Sequence, residues 1–199
     1  MFKKISAASL LICSNLLATT PTFYAIGSLG INSTDWRSLI SSSTWQASTI
    51  NNASQSYSYG GTIGLNLTQS IAVEARYFNI AGLRKDNLTT TAHSRQKHWF
   101  VSTNIKISPT ILQFFNLKPY IGTGFNYRKI TELAYSATNT LVDTGTLQKI
   151  KPVFLIGLDL SLNDNWFINL DYTHNPSFTD HQIFQPSSKL LSLGLGFTI

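Results

Sequence analysis

The sequence predicts an all-β fold, an eight-stranded antiparallel up-and-down transmembrane β-barrel that follows an N-terminal signal peptide. Three observations carry this reading. Charged residues make up only 12% of the 199 residues, against roughly 25% in an ordinary soluble domain. Segment after segment alternates with period two, large apolar residues on one face and small or polar residues on the other. The connections between these segments alternate between short and long, as periplasmic turns and extracellular loops do in a closed barrel.

The N-terminus comes first. Met1 to Lys4 is a short basic stretch, and Ile5 to Ala18 is an apolar run of about fourteen residues. That length suits a signal-peptide core and is too short for a comfortable membrane span. Pro21 breaks any helix, and the expected boundary lies after Ala25, with Ala18 as the fallback. The domains are then 1–25, signal peptide, and 26–199, barrel. Cys13 is the single cysteine and lies inside the leader, preceded by Ile12 where a lipoprotein signal needs a small residue. The mature chain then has no disulfide framework.

The strands follow in order. The first, around Ala25 to Asn32, is the weakest, with Leu29 and Ile31 opposing Ser28, Gly30 and Asn32. The second sets Tyr57, Tyr59, Ile63, Leu65 and Leu67 against Ser58, Gly60, Thr62, Gly64 and Asn66. The third sets Ile71, Val73, Ala75 and Tyr77 against Ala72, Glu74, Arg76 and Phe78. The fourth sets Trp99, Val101, Thr103, Ile105 and Ile107 against His98, Phe100, Ser102, Asn104 and Lys106. The fifth opposes Ile121, Thr123, Phe125 and Tyr127 to Tyr120, Gly122, Gly124 and Asn126. The sixth opposes Pro152, Phe154, Ile156, Leu158 and Leu160 to Lys151, Val153, Leu155, Gly157 and Asp159. The seventh opposes Trp166, Ile168, Leu170 and Tyr172 to Phe167, Asn169, Asp171 and Thr173. In the last, Leu191, Leu193, Leu195, Phe197 and Ile199 face away from Ser192, Gly194, Gly196 and Thr198.

A soluble barrel points its large apolar residues inward. Here the opposite face is small or polar, which fits a narrow interior with the apolar face toward lipid. An even strand number lets the barrel close with no unpaired edge in lipid. Short connections are expected around Thr68 to Ser70, Ser108 to Leu117 and Leu162 to Asn165, and long loops around Ser33 to Ser56, Asn79 to Lys97, Arg128 to Lys149 and Asn175 to Ser188. Tyr57, Tyr59, Tyr77, Trp99, Tyr120, Tyr127, Trp166 and Tyr172 cluster near strand ends, as an interfacial aromatic girdle requires.

Net charge is +6, of which Lys3 and Lys4 belong to the leader. No lysine or arginine block is dense enough for a nucleic-acid footprint. Mild attraction to acidic lipid headgroups is the simpler reading.

Three stretches resemble the small OmpA/OmpW-like outer-membrane β-barrel superfamily. Lys118 to Gly124, with the pattern PYxGxG, is similar to a fifth strand of that group. Gly157 to Asp171 is similar to its sixth strand, tight turn and seventh strand. The C-terminus, with Ser192, Gly194, Phe197 and Ile199, resembles the signal read by the outer-membrane assembly machinery, although the usual final residue is aromatic. The resemblance implies a bacterial cell outer-membrane location in a Gram-negative cell envelope. The partners it implies are membrane lipid and lipopolysaccharide, with periplasmic chaperones and the assembly machinery during biogenesis. It says little about function.

Chemistry is expected in two places. Glu74, Arg76, Lys106, Lys151, Asp159 and Asp171 fall on inward faces and are read as a lumen polar network, because unpaired buried charge is costly. The competing reading is a constricted ion path. In the loops, Trp36 and Trp45, and the basic residues Arg84, Lys85, Arg95 and Lys97, are candidate surface contacts for a host or cell-surface ligand or for lipopolysaccharide phosphates. The competing reading there is packing over the barrel mouth and ordinary solvated loop.

Lipid A deacylases on eight-stranded barrels use a His and a Ser two apart on one strand, plus a Glu. Here His174 and Ser177 are three apart with Pro176 between them, so no enzyme is expected. His93, His98, His174 and His181 fall in or near the expected loops, and their spacings fit no metal signature. No cofactor is expected. The two functional hypotheses are a membrane-embedded structural and surface-interaction protein with a plugged lumen, and a narrow porin-like channel for ions or small hydrophobic solutes.

Overall fold

The computed structural model describes residues 20–34, 54–86, 93–109, 112, 116–176, 178–180, 183–185 and 187–199. The strands are β1 (Thr22–Thr34), β2 (Ser54–Asn66), β3 (Ile71–Asp86), β4 (His93–Ile107), β5 (Leu117–Tyr135), β6 (Leu141–Ser161), β7 (Trp166–Asn175), β8 (Phe178–Asp180), β9 (Ile183–Gln185) and β10 (Ser188–Thr198). Eight of them close a barrel in the order β1-β10-β7-β6-β5-β4-β3-β2, every pairing antiparallel, while β8 and β9 pair with each other alone. The last strand pairs with the first, from Thr198 opposite Tyr24 to Ser188 opposite Thr34. Closure satisfies the strand edges within the barrel, the condition for a β-structure in lipid.

The alternation read from the sequence sets the facing of every strand. Leu29, Ile63, Ile105, Phe125, Ile156 and Leu193 are exposed on the outer wall, whereas Ser28, Thr62, Asn104, Asn126, Asn169 and Ser192 are buried inside. A soluble protein would reverse this; here lipid is the solvent of the apolar face.

One end of the barrel carries the short connections. Thr68 Oγ1 accepts hydrogen bonds from the amides of Ser70 and Ile71 (3.1 and 3.0 Å), closing the turn between β2 and β3. Asn163 Oδ1 does the same for Asn165 and Trp166 (3.0 and 2.8 Å) between β6 and β7. Side chains that mimic a backbone acceptor are the usual device of tight turns. Asn116, entering β5, has φ 64°, a left-handed conformation that asparagine tolerates.

The opposite end differs from expectation. Residues 79–97 and 128–149, read as loops, are largely strand, since β3 runs to Asp86, β4 starts at His93, and β5 and β6 meet at a tight turn, Ser136 to Thr140. β7 stops pairing with β6 at His174 opposite Phe154. β2 stops pairing with β3 at Ser58 opposite Ile80. β3, β4, β5 and β6 therefore continue past the rim as a four-stranded wall. The β6 part alone, residues 141–153, runs on the order of 40 Å along the strand. A register shift between Ile80 and Leu83 marks where β3 leaves the barrel. Trp36, Trp45 and His181 lie outside the described residues.

β1 begins at Thr22, ahead of the expected Ala25 boundary. Tyr24 is buried, and the amide of Ile199 donates to the carbonyl of Phe23 (2.8 Å). A cut after Ala25 would remove this part of the strand, whereas the fallback at Ala18 leaves β1 whole.

Candidate functional site: the barrel lumen and the outer wall

The lumen is filled in two layers. The first, toward the short turns, is ionic. Lys106 Nζ, on β4, lies 3.0 Å from Glu74 Oε1 on β3 and 3.3 Å from Asp159 Oδ2 on β6. Arg76 Nη2, on β3, lies 3.0 Å from Asp171 Oδ1 on β7, diametrically across the barrel. Two tyrosines join the charges. Tyr24 donates to Glu74 Oε1 (2.6 Å) and Tyr120 to Asp171 Oδ2 (2.8 Å). Asn169 Nδ2 donates to Asp159 Oδ1 (2.7 Å) and to the Tyr120 hydroxyl (2.8 Å). Thr173 Oγ1 donates to Asp171 Oδ1 (2.6 Å) and accepts from Arg76 Nη1 (3.2 Å). Lys106 Nζ also stands 3.7 Å from the centre of the Tyr120 ring, a cation–π contact.

Glycines make room for the two tyrosines. A Cβ added at Gly64 would collide with the Tyr24 ring, and one at Gly157 with the Tyr120 ring and hydroxyl. Tyr24 also packs edge-on against Phe167 at 6.0 Å and clusters with Ile26 and Ala72. Below the ions, toward the short turns, a cavity of about 10 Å³ is lined by residues including Asn66, Lys118 and Asp159. That is room for about one water. Lys118 is set opposite Asp159 by register, which supplies a third cation for the three carboxylates.

The second layer is apolar. Phe78 and Phe100 stack at 5.4 Å, and both cluster with Ile80 and with Leu190, which comes from β10 on the far side of the lumen. All four are at most 1% exposed. Polar contacts also fill the interior. Asn126 Nδ2 donates to Asn175 Oδ1 (2.6 Å), Ser188 Oγ donates to Asn32 Oδ1 (2.9 Å), and Arg128 Nε donates to His98 Nε2.

Measured against the sequence reading, Glu74, Arg76, Lys106, Asp159 and Asp171 come together in one network. Lys151 faces inward and is buried, opposite Asn126. Tyr120, expected in the aromatic girdle, points inside instead. Tyr24 escaped because it falls before the assumed leader boundary. Two of the histidines are also placed differently. His98 is buried within β4, as its place on the fourth strand predicts, while His93, which stacks on Tyr135 at 4.9 Å, and His174 lie on β4 and β7 and not in loops.

Arg84, Lys85 and Arg95, expected on a loop, belong to β3 and β4. The register sets Arg84 opposite Arg95, and Lys85 opposite Ser94. At the C-terminus, Ser192 and Gly194 face the lumen, Phe197 faces outward against Trp166 (4.9 Å), and Ile199 is exposed at the barrel end.

The comparisons agree with this architecture. Neisserial surface protein A superposes with a TM-score of 0.64 at 13% identity, covering 90% of this chain and 99% of that one. The attachment invasion locus protein Ail of Yersinia pestis, in complex with the heparin analogue sucrose octasulfate, gives 0.55 at 10% identity, covering 90% and 98%. The outer membrane protein OprG of Pseudomonas aeruginosa gives 0.55 at 14% identity, covering 89% and 96%. No curated protein matches the sequence. At these identities the likeness concerns the fold alone. The family model described as outer membrane protein beta-barrel domain matches residues 5–198. With a closed barrel, an apolar outer wall and a match along nearly its whole length, the chain belongs to the outer membrane protein beta-barrel domain family and is an outer-membrane protein.

Proposed function

We propose that the protein is a non-conducting outer-membrane barrel that acts through its extracellular surface. The observation that carries this reading is Leu190, which crosses the lumen to meet Phe78, Phe100 and Ile80 with no exposed surface left among them. An eight-stranded interior is only just wide enough for side chains, and here it is used twice over, by ions and by apolar groups. Water and ions have no continuous route through such a stack. The chain spends its extra strand length on the wall formed by β3 to β6. A surface protein needs such an extension and a pore does not.

The reading assigns the assembly signal to Ser192, Gly194, Phe197 and Ile199, and contact with other surfaces to the wall and the connections beside it.

Two measurements test it. Refolded protein, verified by its strand signature, should show no discrete openings in a planar bilayer. Reproducible single-channel steps would overturn the closed lumen. Shortening the wall by joining Lys129 to Gln148 through a two-residue turn should leave the barrel folded. It should also lower retention on immobilised heparin, chosen as the first probe because the Ail structure holds a heparin analogue. Unchanged retention would move the contact away from the wall.

A further inference from the structure

The two sides of β6 are not alike. On one side β5 pairs with it along the whole wall, as far as Leu141 opposite Tyr135. On the other, β7 pairs with it only up to Phe154 opposite His174. Among the described residues, no strand lines that second side of β6 beyond Phe154, so the wall ends there in an open edge.

Alternate residues of a strand turn their backbone groups to opposite sides. The odd-numbered residues of β6 turn theirs to β5, as the amide of Ser161 does toward Asn116 (2.9 Å). The even-numbered ones turn to the open edge. The amide of Thr144 is met there by its own neighbour, Asp143 Oδ1, at 2.7 Å. Pro152, which has no amide hydrogen, occupies another even position, where an edge tolerates it. A bulge opposite Ala134 and Tyr135 lies at the tip of the wall, and Pro152 lies at its base. Between them the edge is exposed at Val142, Asp143, Thr144, Thr146, Gln148 and Ile150.

The charges along this edge are arranged symmetrically. Asp143 and Lys149 stand at equal distances on either side of Thr146. When a second copy is laid antiparallel, with Thr146 opposite Thr146, the sequence complements itself. Asp143 meets Lys149, Thr144 meets Gln148 and Val142 meets Ile150, each twice over by the two-fold symmetry. Opposed residues share a face, so the ion pairs line one face of the joined sheet and the apolar pairs the other. Val142 and Ile150, 61% and 70% exposed in the single chain, gain cover. A parallel alignment in the same register would set Asp143 against Asp143 and Lys149 against Lys149, which repel.

We propose that the β6 edge from Val142 to Ile150 joins the same edge of a second copy of this chain, as an antiparallel pair centred on Thr146. The proposal rests on the reading that places contact on the wall, and it names the partner. Thr144, Thr146 and Gln148 supply the backbone hydrogen bonds, about six across the pair. The Thr144 amide leaves Asp143 for the other strand, and Asp143 turns to Lys149 of the other copy. An antiparallel partner runs back toward the first copy's membrane, so its own membrane lies on the far side. The contact therefore joins barrels in two facing membranes.

The test uses the whole folded protein, one barrel per phosphatidylcholine nanodisc, with particle mass read by sedimentation. Loaded discs should pair as their concentration rises, and empty discs should not. Asp143→Lys alone, or Lys149→Asp alone, sets like charges opposite each other twice and should weaken pairing roughly tenfold or more. An equal mixture of the two variants should pair as the unaltered protein does, because each then meets the opposite charge on the other. Thr146→Pro removes the central donor on the side away from β5, so the barrel should fold and its discs should stay single. A synthetic peptide of residues 141–150 provides a measurement that needs no variant, and it should dissociate the pairs. Discs that stay single at every concentration would overturn the proposal and leave the edge to an extended segment of another protein. Pairing that survives Thr146→Pro or the peptide, or a mixture that stays single, would overturn it too. None of these outcomes alters the planar-bilayer or heparin results, so failure here is separate from failure of the closed, surface-acting barrel.

Discussion

The two layers that close the lumen do the same job with different physics. The ionic layer, with Glu74, Arg76, Lys106, Asp159 and Asp171, joins β3, β4, β6 and β7 through charges and hydrogen bonds. The apolar layer, with Phe78, Ile80, Phe100 and Leu190, joins β3, β4 and β10 through contact alone. In the apolar layer each atom contributes on its own, and removing one group costs what that group contributed plus the cavity it leaves. In the ionic layer every member exists because of the others. Removing one leaves its partners as buried charges without compensation, and that penalty exceeds the worth of the lost bond. The ionic layer is therefore the more brittle of the two, although it is not necessarily the greater contributor to stability.

The largest effect should come from Lys106, which serves two carboxylates at once. Lys106→Met keeps most of the side-chain volume and leaves Glu74 and Asp159 facing each other without their shared cation. Equilibrium unfolding of the refolded barrel by urea should show a loss of roughly 3–5 kcal/mol at neutral pH. Introducing Glu74→Gln and Asp159→Asn should make the same Lys106→Met change cost less, because the neutral amides no longer need the ammonium. A cost that stayed the same in that background would mean that packing, not charge, set the penalty.

Leu190→Ala comes next. It should cost about 2–5 kcal/mol, as for other buried leucines, whether or not those carboxylates are neutralised. It also tests whether the layers act in series. The single variant should stay silent in a planar bilayer because the ionic layer still blocks the path, and so should Lys106→Met. Combining Leu190→Ala and Phe100→Ala with Lys106→Ala should open a conducting path if the triple variant folds. Conductance from Leu190→Ala alone would show that the apolar layer is the only seal.

The same contrast explains what the sequence made legible. Inside the membrane each strand has lipid on one side and a narrow lumen on the other, so its residues must alternate. The facing of Trp166 to Thr173 on β7 could be read directly for that reason, and so could the inward position of Glu74, Arg76 and Asp171. Past the rim that constraint ends. His93 to His98 and Val142 to Lys149 have water or polar groups around them, the period-two signal fades, and strands looked like loops. The basic cluster was visible as composition. Its place on paired strands was not, because that depends on how far β3 and β4 continue to pair. The apolar seal was missed for another reason. Phe78 and Phe100 alternated correctly, but nothing in a linear pattern brings Leu190 across the lumen to meet them.

Tyr24 offers the smallest effect and the finest discrimination. Its hydroxyl donates to Glu74 Oε1 at 2.6 Å, but Glu74 also keeps Lys106 at 3.0 Å. Tyr24→Phe therefore removes one charge-assisted hydrogen bond without isolating the carboxylate, and it should cost only about 1.5 kcal/mol. The ring still fills the space above Gly64 and still packs on Phe167, so the apolar contribution of the residue survives the change. The measurement has to be made on protein exported and processed by the cell, because it then also reports the leader boundary. If processing occurs at or before Thr22, as an intact β1 requires, the variant is less stable than the unaltered protein and intact-mass analysis finds Tyr24 in the mature chain. If processing occurs after Ala25, the two mature proteins are identical and the stability difference is zero. In that case Glu74 would have Lys106 as its only strong partner, and Lys106→Met would become more damaging still.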